Sequence, residues 1–207
     1  MTALAQSVPR PRTIAFDAAL VVLGSVVVAT LAQVSIHFRF VPITGQTLGV
    51  LLVAATLGWP RGVAAVALYL AEGAAGLPVF AEGRSGFAYL LLRDPLHVTG
   101  GYLWGFLLAA AVVGALAERG WDRRLGSALG AMFLGNAAIY LVGLPWLAVS
   151  LGIPVVDAAA SPCDLATASG CDALELGLYP FVIGDTIKLL LAAVSLPAAW
   201  RLARLGR

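Results

Sequence analysis

The sequence predicts an all-α integral membrane protein with six transmembrane helices and both termini in the cytoplasm. Of its 207 residues, 60% are hydrophobic and only 12% are charged. Soluble domains carry about 25% charged residues, so this chain has too few to cover a surface exposed to water. The mean hydropathy of +0.93 also excludes a disordered chain, because disordered segments are polar and highly charged. A net charge of +2 gives no indication of nucleic-acid binding.

Six apolar stretches are long enough for membrane helices, which need about 20 mostly apolar residues each. They are predicted at about 14–36, 43–58, 61–78, 100–118, 125–151 and 178–203. Strands of a membrane barrel would alternate apolar and polar residues, whereas residues 107–113 are apolar throughout. We therefore expect a cytoplasmic segment at 1–13 and a six-helix membrane domain at 14–205, with outer loops at about 37–43, 79–99 and 152–177.

The arginines predict the orientation, because cytoplasmic loops are enriched in positive charge. One side of the membrane holds both termini and nine arginines: Arg10, Arg12, Arg61, Arg119, Arg123, Arg124, Arg201, Arg204 and Arg207. The other side holds Arg39, Arg84 and Arg93. Both termini are therefore predicted in the cytoplasm. A cleaved signal peptide is the alternative for the first helix, but Asp17 and the length of the apolar run favour an uncleaved helix.

The two cysteines, Cys163 and Cys171, lie in a polar stretch between the fifth and sixth helices. The predicted orientation places this stretch outside the cytoplasm, where conditions permit disulfides. Two interpretations are open: a disulfide that closes a small ring, which we favour, or two free thiols.

Asp185 and Lys188 are candidate functional residues, because a charge within a membrane helix is costly. They lie near the start of the sixth helix and, three residues apart, share one helical face. We predict that they pair with each other. The pair either belongs to a ligand site, which we favour, or is a structural ion pair that fixes helix packing.

Neutral polar side chains form two further candidate groups. Thr44 and Gln46 lie at the outer start of the second helix and can hydrogen-bond an uncharged polar ligand. Asn136 and Tyr140 lie four residues apart on one face of the fifth helix. Each group also has a structural interpretation, namely capping and close packing for the first and contact between helices for the second.

A long outer segment between the third and fourth helices is punctuated by glycine and proline, which is typical of a loop with a defined shape. Its charged or titratable residues are Glu82, Arg84, Arg93, Asp94 and His97. A loop of this length is often a lid or a binding loop.

Motifs for catalysis are absent from the sequence. It contains neither a P-loop nor a Gly-x-Ser-x-Gly nucleophile motif. His37 and His97 lie on separate loops, so they form no metal-ligand cluster. The sequence therefore predicts no enzyme and no cofactor.

Several short motifs, in this order along the chain, resemble the BioY family, the biotin-specific S components of energy-coupling factor (ECF) transporters. The matching stretches are residues 41–52 (VPITGQTLGVLL), 76–81 (GLPVFA), 99–102 (TGGY), 135–136 (GN), 139–140 (IY), 145–147 (PWL), 180–181 (PF) and 184–188 (GDTIK). The resemblance spans nearly the whole chain from the first helix to the sixth.

The resemblance implies a membrane subunit that captures biotin from outside and works with a transmembrane coupling subunit and a pair of cytoplasmic ATPases. It implies that Asp185 accepts hydrogen bonds from the ureido N–H groups of biotin. Lys188 would donate to the ureido carbonyl or balance the charge of Asp185. Further contacts implied by the matching stretches are Thr44, Gln46, Asn136 and Tyr140, with Phe80 and residues near Glu82 and Arg84 closing over the ligand.

Biotin suits a mostly apolar pocket with a few polar groups, because its fused rings carry one ureido group and its tail one carboxylate. The carboxylate favours a positive group at the entrance, which Arg84 or Arg93 can supply. On the first helix, the small-residue spacing Ala15-xxx-Ala19 either docks the coupling subunit or packs within the monomer. The expected location is the inner or plasma membrane of a bacterial-type cell, and the sequence leaves open whether the chain forms a homo-oligomer.

Three other functions stay open at this point. The first is capture of a different vitamin, and the second is a membrane scaffold subunit without a ligand. The third is an intramembrane enzyme that uses Asp185 as acid or base. The last is disfavoured, because the sequence places no second carboxylate or nucleophile at membrane depth.

Overall fold

A computed structural model describes residues 14–36, 41–91, 98–157, 163–164 and 168–205, with side chains up to residue 202. The helices are α1 (Ile14–Gln33), α2 (Gln46–Leu57), α3 (Trp59–Ala74), α4 (Gly100–Glu118), α5 (Leu125–Leu151), α6 (Ala173–Gly177) and α7 (Val182–Leu205). Two short strands, β1 (Ser35–Ile36) and β2 (Ile43–Thr44), pair antiparallel between α1 and α2. Short 3-10 turns lie at Ala81–Gly83, Phe87–Leu90, Trp121–Arg123 and Tyr179–Phe181. The predicted segment 1–13 lies outside the described residues.

Each predicted membrane helix overlaps a helix of the structure, and α4 and α5 have the predicted bounds. The first helix ends at Gln33 rather than at 36, because Ser35 and Ile36 pair with β2. The second begins at Gln46 rather than at 43 for the same reason. The prediction of helix alone was therefore wrong for this strand pair.

The third and sixth predicted helices are displaced along the chain by glycine and proline. α3 begins at Trp59 because its first turn accommodates a proline, and it ends at Ala74, before Gly76 with φ 102°. α7 begins at Val182 rather than at 178, since the 3-10 turn Tyr179–Phe181 precedes it.

Four helical stretches of the described residues are long and apolar enough to cross a membrane: Ile14–Gln33, Gly100–Glu118, Leu125–Leu151 and Ala173–Leu202. The chain is therefore a multi-pass membrane protein. With 12 and 16 residues, α2 and α3 reach only roughly 18 and 24 Å, against a hydrocarbon core of about 30 Å. Six crossings thus require non-helical chain at the ends of α2 and α3.

The core lies between α2, α3, α4 and α5. Side chains buried there include Val50, Leu51, Val66, Val113 and Met132. In the apolar stretch of α4, 61% of the residues are buried inside the protein. In the apolar stretch of α1, only 17% of the residues are buried. Accordingly, α1 is a peripheral helix that packs on α2 and α3.

The end of α7 is tied to the connection between α4 and α5. The indole N–H of Trp200 donates to the carboxylate of Asp122, which is only 1% exposed. The guanidinium carbon of Arg123 lies 4.6 Å from the centre of the Trp200 ring. Burial raises the pKa of the Asp122 carboxyl. These contacts fix the helix that carries Asp185 and Lys188 near its other end.

Candidate functional site

A cavity lies between α2, α4, α5 and α7, near the ends at which α2, α4 and α7 begin. It contains about 620 Å³ of space free of protein atoms, its opening included. Its wall is mainly apolar and aromatic, with side chains that include Val41, Phe80, Tyr89, Tyr102, Leu103, Phe106, Ile139 and Phe181. A mainly apolar and aromatic wall with a few polar groups is typical of small-molecule sites.

One end of the cavity is charged. Asp185 and Lys188 both line it, and Nζ of Lys188 donates to Oδ1 of Asp185 at 2.7 Å. The hydroxyl of Tyr140 donates to Oδ2 of Asp185 at 2.5 Å. The Asp185 and Lys188 side chains are only 7% and 14% exposed. A partly desolvated carboxylate that is held from both sides can accept further hydrogen bonds from a ligand.

Tyr102 supports this charged end from α4. Its ring meets the ring of Tyr140 edge to face, with centres 6.0 Å apart. Its hydroxyl donates to the carbonyl of Gly177 at 3.0 Å, so α6 helps to fix it. Gly143 makes room for the ring, because a Cβ atom there would lie 2.6 Å from Cδ1 of Tyr102.

A second, uncharged polar group lies where α2 begins. Thr44 and Gln46 line the cavity and are buried. The Thr44 hydroxyl donates to Oε1 of Gln46 at 2.9 Å and accepts the backbone N–H of Gln46 at 3.2 Å. Nε2 of Gln46 donates to the hydroxyl of Tyr69 at 2.5 Å. Thr44 therefore satisfies the first amide of α2 and also presents a hydroxyl to the cavity.

Phe80 closes one side of the cavity and is only 2% exposed. Its ring centre lies 5.6 Å from that of Tyr69 and 5.7 Å from that of Tyr89. Gly73 of α3 lies directly against the ring, since any Cβ atom at this position would overlap it. The wall at Phe80 thus depends on a close approach that only glycine permits.

Glu82 and Arg84, predicted to close over the ligand, follow Phe80 but do not line the cavity. They pair with each other, with Nη2 of Arg84 2.5 Å from Oε2 of Glu82. Glu82 has φ 61°, in the left-handed region that disfavours a side chain. Arg93, the alternative partner for a ligand carboxylate, lies outside the described residues.

Asn136 lines a neighbouring cavity between α5 and α7 instead of the first one. This second cavity has about 820 Å³ of space, its opening included, and a mainly apolar wall. Oδ1 of Asn136 is buried and has no hydrogen-bond partner within the described part of the chain. Tyr140 and Asp185 line both cavities, so their hydrogen bond lies between the two spaces.

Cys163 and Cys171 form a disulfide. With their sulfurs joined, they offer no thiolate to a metal, although Glu175 lies close by. Asp172 follows the bridge and caps α6, accepting the backbone N–H of Glu175 at 2.8 Å. The bridge therefore adjoins the short helix whose Gly177 carbonyl holds Tyr102.

Five aromatic residues in the described part of the site were not predicted as site residues: Tyr69, Tyr89, Tyr102, Phe106 and Phe181. Tyr102 and Phe181 fall in stretches that carry the family resemblance, which was the available signal for them. Tyr69 and Phe106 lie in apolar helices, where the sequence does not distinguish a cavity wall from ordinary core.

Comparisons with known proteins agree with this fold. The BioY family model matches residues 4–205. The chain is 33% identical over 189 residues to the biotin transporter BioY of Rhizobium etli, covering 88% of this chain and 87% of that protein. It is 38% identical over 176 residues to the biotin transporter BioY of Thermotoga maritima, covering 85% and 86%.

Among solved structures, the crystal structure of the S-component for biotin from an ECF-type ABC transporter is similar, with a TM-score of 0.68 and 22% identity. The match covers 92% of this chain and 95% of that one. At this identity the likeness establishes a shared fold.

Proposed function

The chain belongs to the BioY family, and on that premise we propose that it binds biotin with high affinity as the substrate-capture subunit of an ECF-type transporter. The observation that carries the proposal is the charged pair Asp185–Lys188 at one end of an otherwise mainly aromatic and apolar cavity. Biotin has the matching distribution of polarity, with one ureido group on compact, mostly apolar fused rings.

The ureido group binds at the charged end. Asp185 accepts hydrogen bonds from its N–H groups, and Lys188 donates to its carbonyl or balances the carboxylate. Tyr140 keeps the carboxylate oriented through the bond to Oδ2. Because charge-assisted hydrogen bonds in a partly desolvated site are stronger than neutral ones, this end supplies most of the selectivity for a ureido ring.

The fused rings of biotin lie against the aromatic wall, with Phe80 closing one side. Thr44 and Gln46 supply neutral hydrogen-bonding groups at the start of α2. The carboxylate of the tail points toward the opening, where we propose Arg84 or Arg93 as the positive group. Arg84 is 39% exposed, so it can exchange its partner Glu82 for a ligand carboxylate at little cost.

We propose six membrane crossings by α1 to α5 and α7, with both termini in the cytoplasm of a bacterial-type cell. Non-helical chain is tolerated at membrane depth where it is buried or lines a cavity. Val41 and Thr44 before α2 and Phe80 after α3 meet this condition, because all three are buried at the cavity. These segments supply the length that α2 and α3 lack, and the arginines supply the orientation.

In this role the chain performs no catalysis, and its partners supply the energy for transport. We propose a transmembrane coupling subunit and a pair of cytoplasmic ATPases, which the absence of a P-loop from the sequence supports. The surface for the coupling subunit is α1, where Val22, Leu23 and Val26 are at least half exposed. Ala15 and Ala19 on the same helix are also exposed and permit close approach of another helix.

Thermal unfolding of the purified protein with added vitamins tests the choice of ligand. A ligand that binds only the folded state stabilises it by about 2.7 kcal/mol at a concentration of 100 Kd. We expect biotin to raise the unfolding temperature progressively and a vitamin without a ureido ring, such as riboflavin, to leave it unchanged. Protection by the other vitamin alone would assign a different ligand, and protection by none of a panel of vitamins would favour a scaffold subunit.

A further inference from the structure

Gln33, the last residue of α1, uses both ends of its side-chain amide to hold the outer segment that follows α3. Its Nε2, which carries two hydrogens, lies within hydrogen-bond distance of three carbonyl oxygens: Phe80 at 3.1 Å, Val79 at 3.3 Å and, within α1 itself, Ala29 at 3.2 Å. Its Oε1 accepts the backbone N–H of Gly83 at 3.0 Å. One side chain therefore connects the end of α1 to three residues of a segment about 50 positions away.

The segment held by Gln33 is a tight turn, residues 80–84. It is closed by the Phe80 N–H donating to the Arg84 carbonyl at 3.0 Å and the Gly83 N–H donating to the Phe80 carbonyl at 3.1 Å. Glu82 within it has φ 61°, which is costly for a residue with a side chain. Gln33 adds hydrogen bonds from outside the turn to those that the turn makes itself.

The same turn carries the wall of the cavity. Phe80 is its first residue, and its ring lines the cavity. Gly73 lies against the ring from behind, so the ring can move away from the cavity only together with the turn. The helix at the other end of the connection, α1, is the least buried of the four long apolar stretches, so the turn is attached to a peripheral element.

We propose that Gln33 is a positioning residue that latches the 80–84 turn to α1 and thereby slows release of the ligand from the cavity. The identity of the ligand, biotin, rests on the proposed function. The latch itself exists without ligand, since the hydrogen bonds of Gln33 are made by the protein alone. Loss of the latch raises the dissociation rate and leaves the association rate equal or faster.

Two variants and one control separate the two ends of the amide. Gln33→Ala removes every contact. Gln33→Glu keeps an acceptor for the Gly83 N–H but cannot donate to the carbonyls of Val79 and Phe80, so it is expected to fall between wild type and Gln33→Ala. Thr30→Ala is the control, because among the residues that the structure describes the Thr30 hydroxyl bonds only to the Val26 carbonyl of its own helix. Gln33 is exposed, so we expect all three variants to fold, with unfolding temperatures close to that of wild type.

Hydrogen–deuterium exchange of the ligand-free protein tests the latch directly. Exchange of the peptide that contains Gly83 is expected to be about threefold faster or more in Gln33→Ala, intermediate in Gln33→Glu and unchanged in Thr30→Ala. Equal exchange in wild type and Gln33→Ala overturns the proposal.

The rate at which labelled biotin dissociates, measured by adding an excess of unlabelled biotin, tests the consequence for the ligand. We expect a dissociation rate at least about fivefold higher in Gln33→Ala, without slower association. A faster-exchanging turn with an unchanged dissociation rate overturns the role in release. If wild type itself binds no biotin, the proposed function fails, and the exchange result still decides the latch.

Discussion

Tyr140 on α5 donates its hydroxyl hydrogen to Oδ2 of Asp185 on α7, across 45 positions of sequence. Lys188 donates to the other oxygen, Oδ1. Both carboxylate oxygens thus have a protein donor before a ligand arrives. Because an ionised carboxylate has about four acceptor sites, ligand N–H groups can be added without breaking either bond. The charged end of the cavity is therefore organised in advance, which lowers the cost of binding.

Removing either charge of the pair is expected to weaken biotin binding. Asp185→Asn replaces the acceptor of the ureido N–H groups by a neutral amide, and Lys188→Ala leaves the carboxylate without its cation. We expect the Kd to rise at least tenfold in each variant, which corresponds to about 1.4 kcal/mol. Titration calorimetry of the purified variants measures this change.

Thr186→Ala is the matched control for these two variants. Thr186 lies next to Asp185, but within the described part of the chain its hydroxyl bonds only to the Val182 carbonyl of the same helix. Its Kd is expected to stay within about twofold of wild type. Unchanged affinity in both Asp185→Asn and Lys188→Ala would place the ureido group elsewhere.

Gly73→Ala is expected to displace Phe80 from the cavity wall. The added methyl group overlaps the Phe80 ring, and overpacking of this kind costs about 1–3 kcal/mol. We expect a lower unfolding temperature together with weaker biotin binding. Gly126→Ala provides the comparison, since nothing lies within 4 Å of a Cβ atom there. Equal behaviour of the two variants would show that Phe80 is not held by this contact.

Removal of the disulfide between Cys163 and Cys171 is expected to destabilise the segment that follows α5. For a small ring, the loss of the cross-link costs about 2 kcal/mol. The double variant to serine should unfold at a lower temperature, and mass spectrometry of unreduced wild type should detect no alkylated thiol. Alkylation of both cysteines without reductant would reject the bridge.

Asp122 is expected to make stability depend on pH. Burial raises the pKa of its carboxyl in the folded chain above the ordinary value of about 4, so the folded chain keeps a proton that the unfolded chain has released. Its contribution to stability is full below the unfolded pKa and is lost as the pH rises through the folded pKa.

Asp122→Asn keeps an oxygen for Trp200 but cannot ionise. Its unfolding temperature is therefore expected to rise relative to wild type as the pH increases above about 4. A difference between the two proteins that does not vary with pH would contradict the raised pKa.

Composition and apolar run length predicted most of the fold, because a membrane helix is specified by local hydrophobicity. The residues at which the helices end were harder to predict. Val34 and Ile36 continue the apolar run of α1, yet the chain leaves the helix after Gln33 to pair with β2. That pairing joins residues seven to nine positions apart, Ile36 with Ile43 and Ser35 with Thr44, and hydrophobicity alone does not encode it.

The candidate site was also predicted only in part from the sequence. Asp185 and Lys188 were predicted to pair from their spacing on one helix, and they do. Asn136 and Tyr140 were predicted on one face, and both line the second cavity, but only Tyr140 also reaches the first one. The bond from Tyr140 to Asp185 joins two helices, so it depends on packing and not on spacing. The family predicted from the motifs is confirmed by the match over residues 4–205.

Calorimetric titration of the purified wild-type protein with biotin tests the central claim most directly. We predict binding in the nanomolar range with one biotin per chain, and no comparable binding of a vitamin that lacks the ureido ring. Absence of heat and of any thermal stabilisation up to millimolar biotin would contradict the proposal that this chain captures biotin.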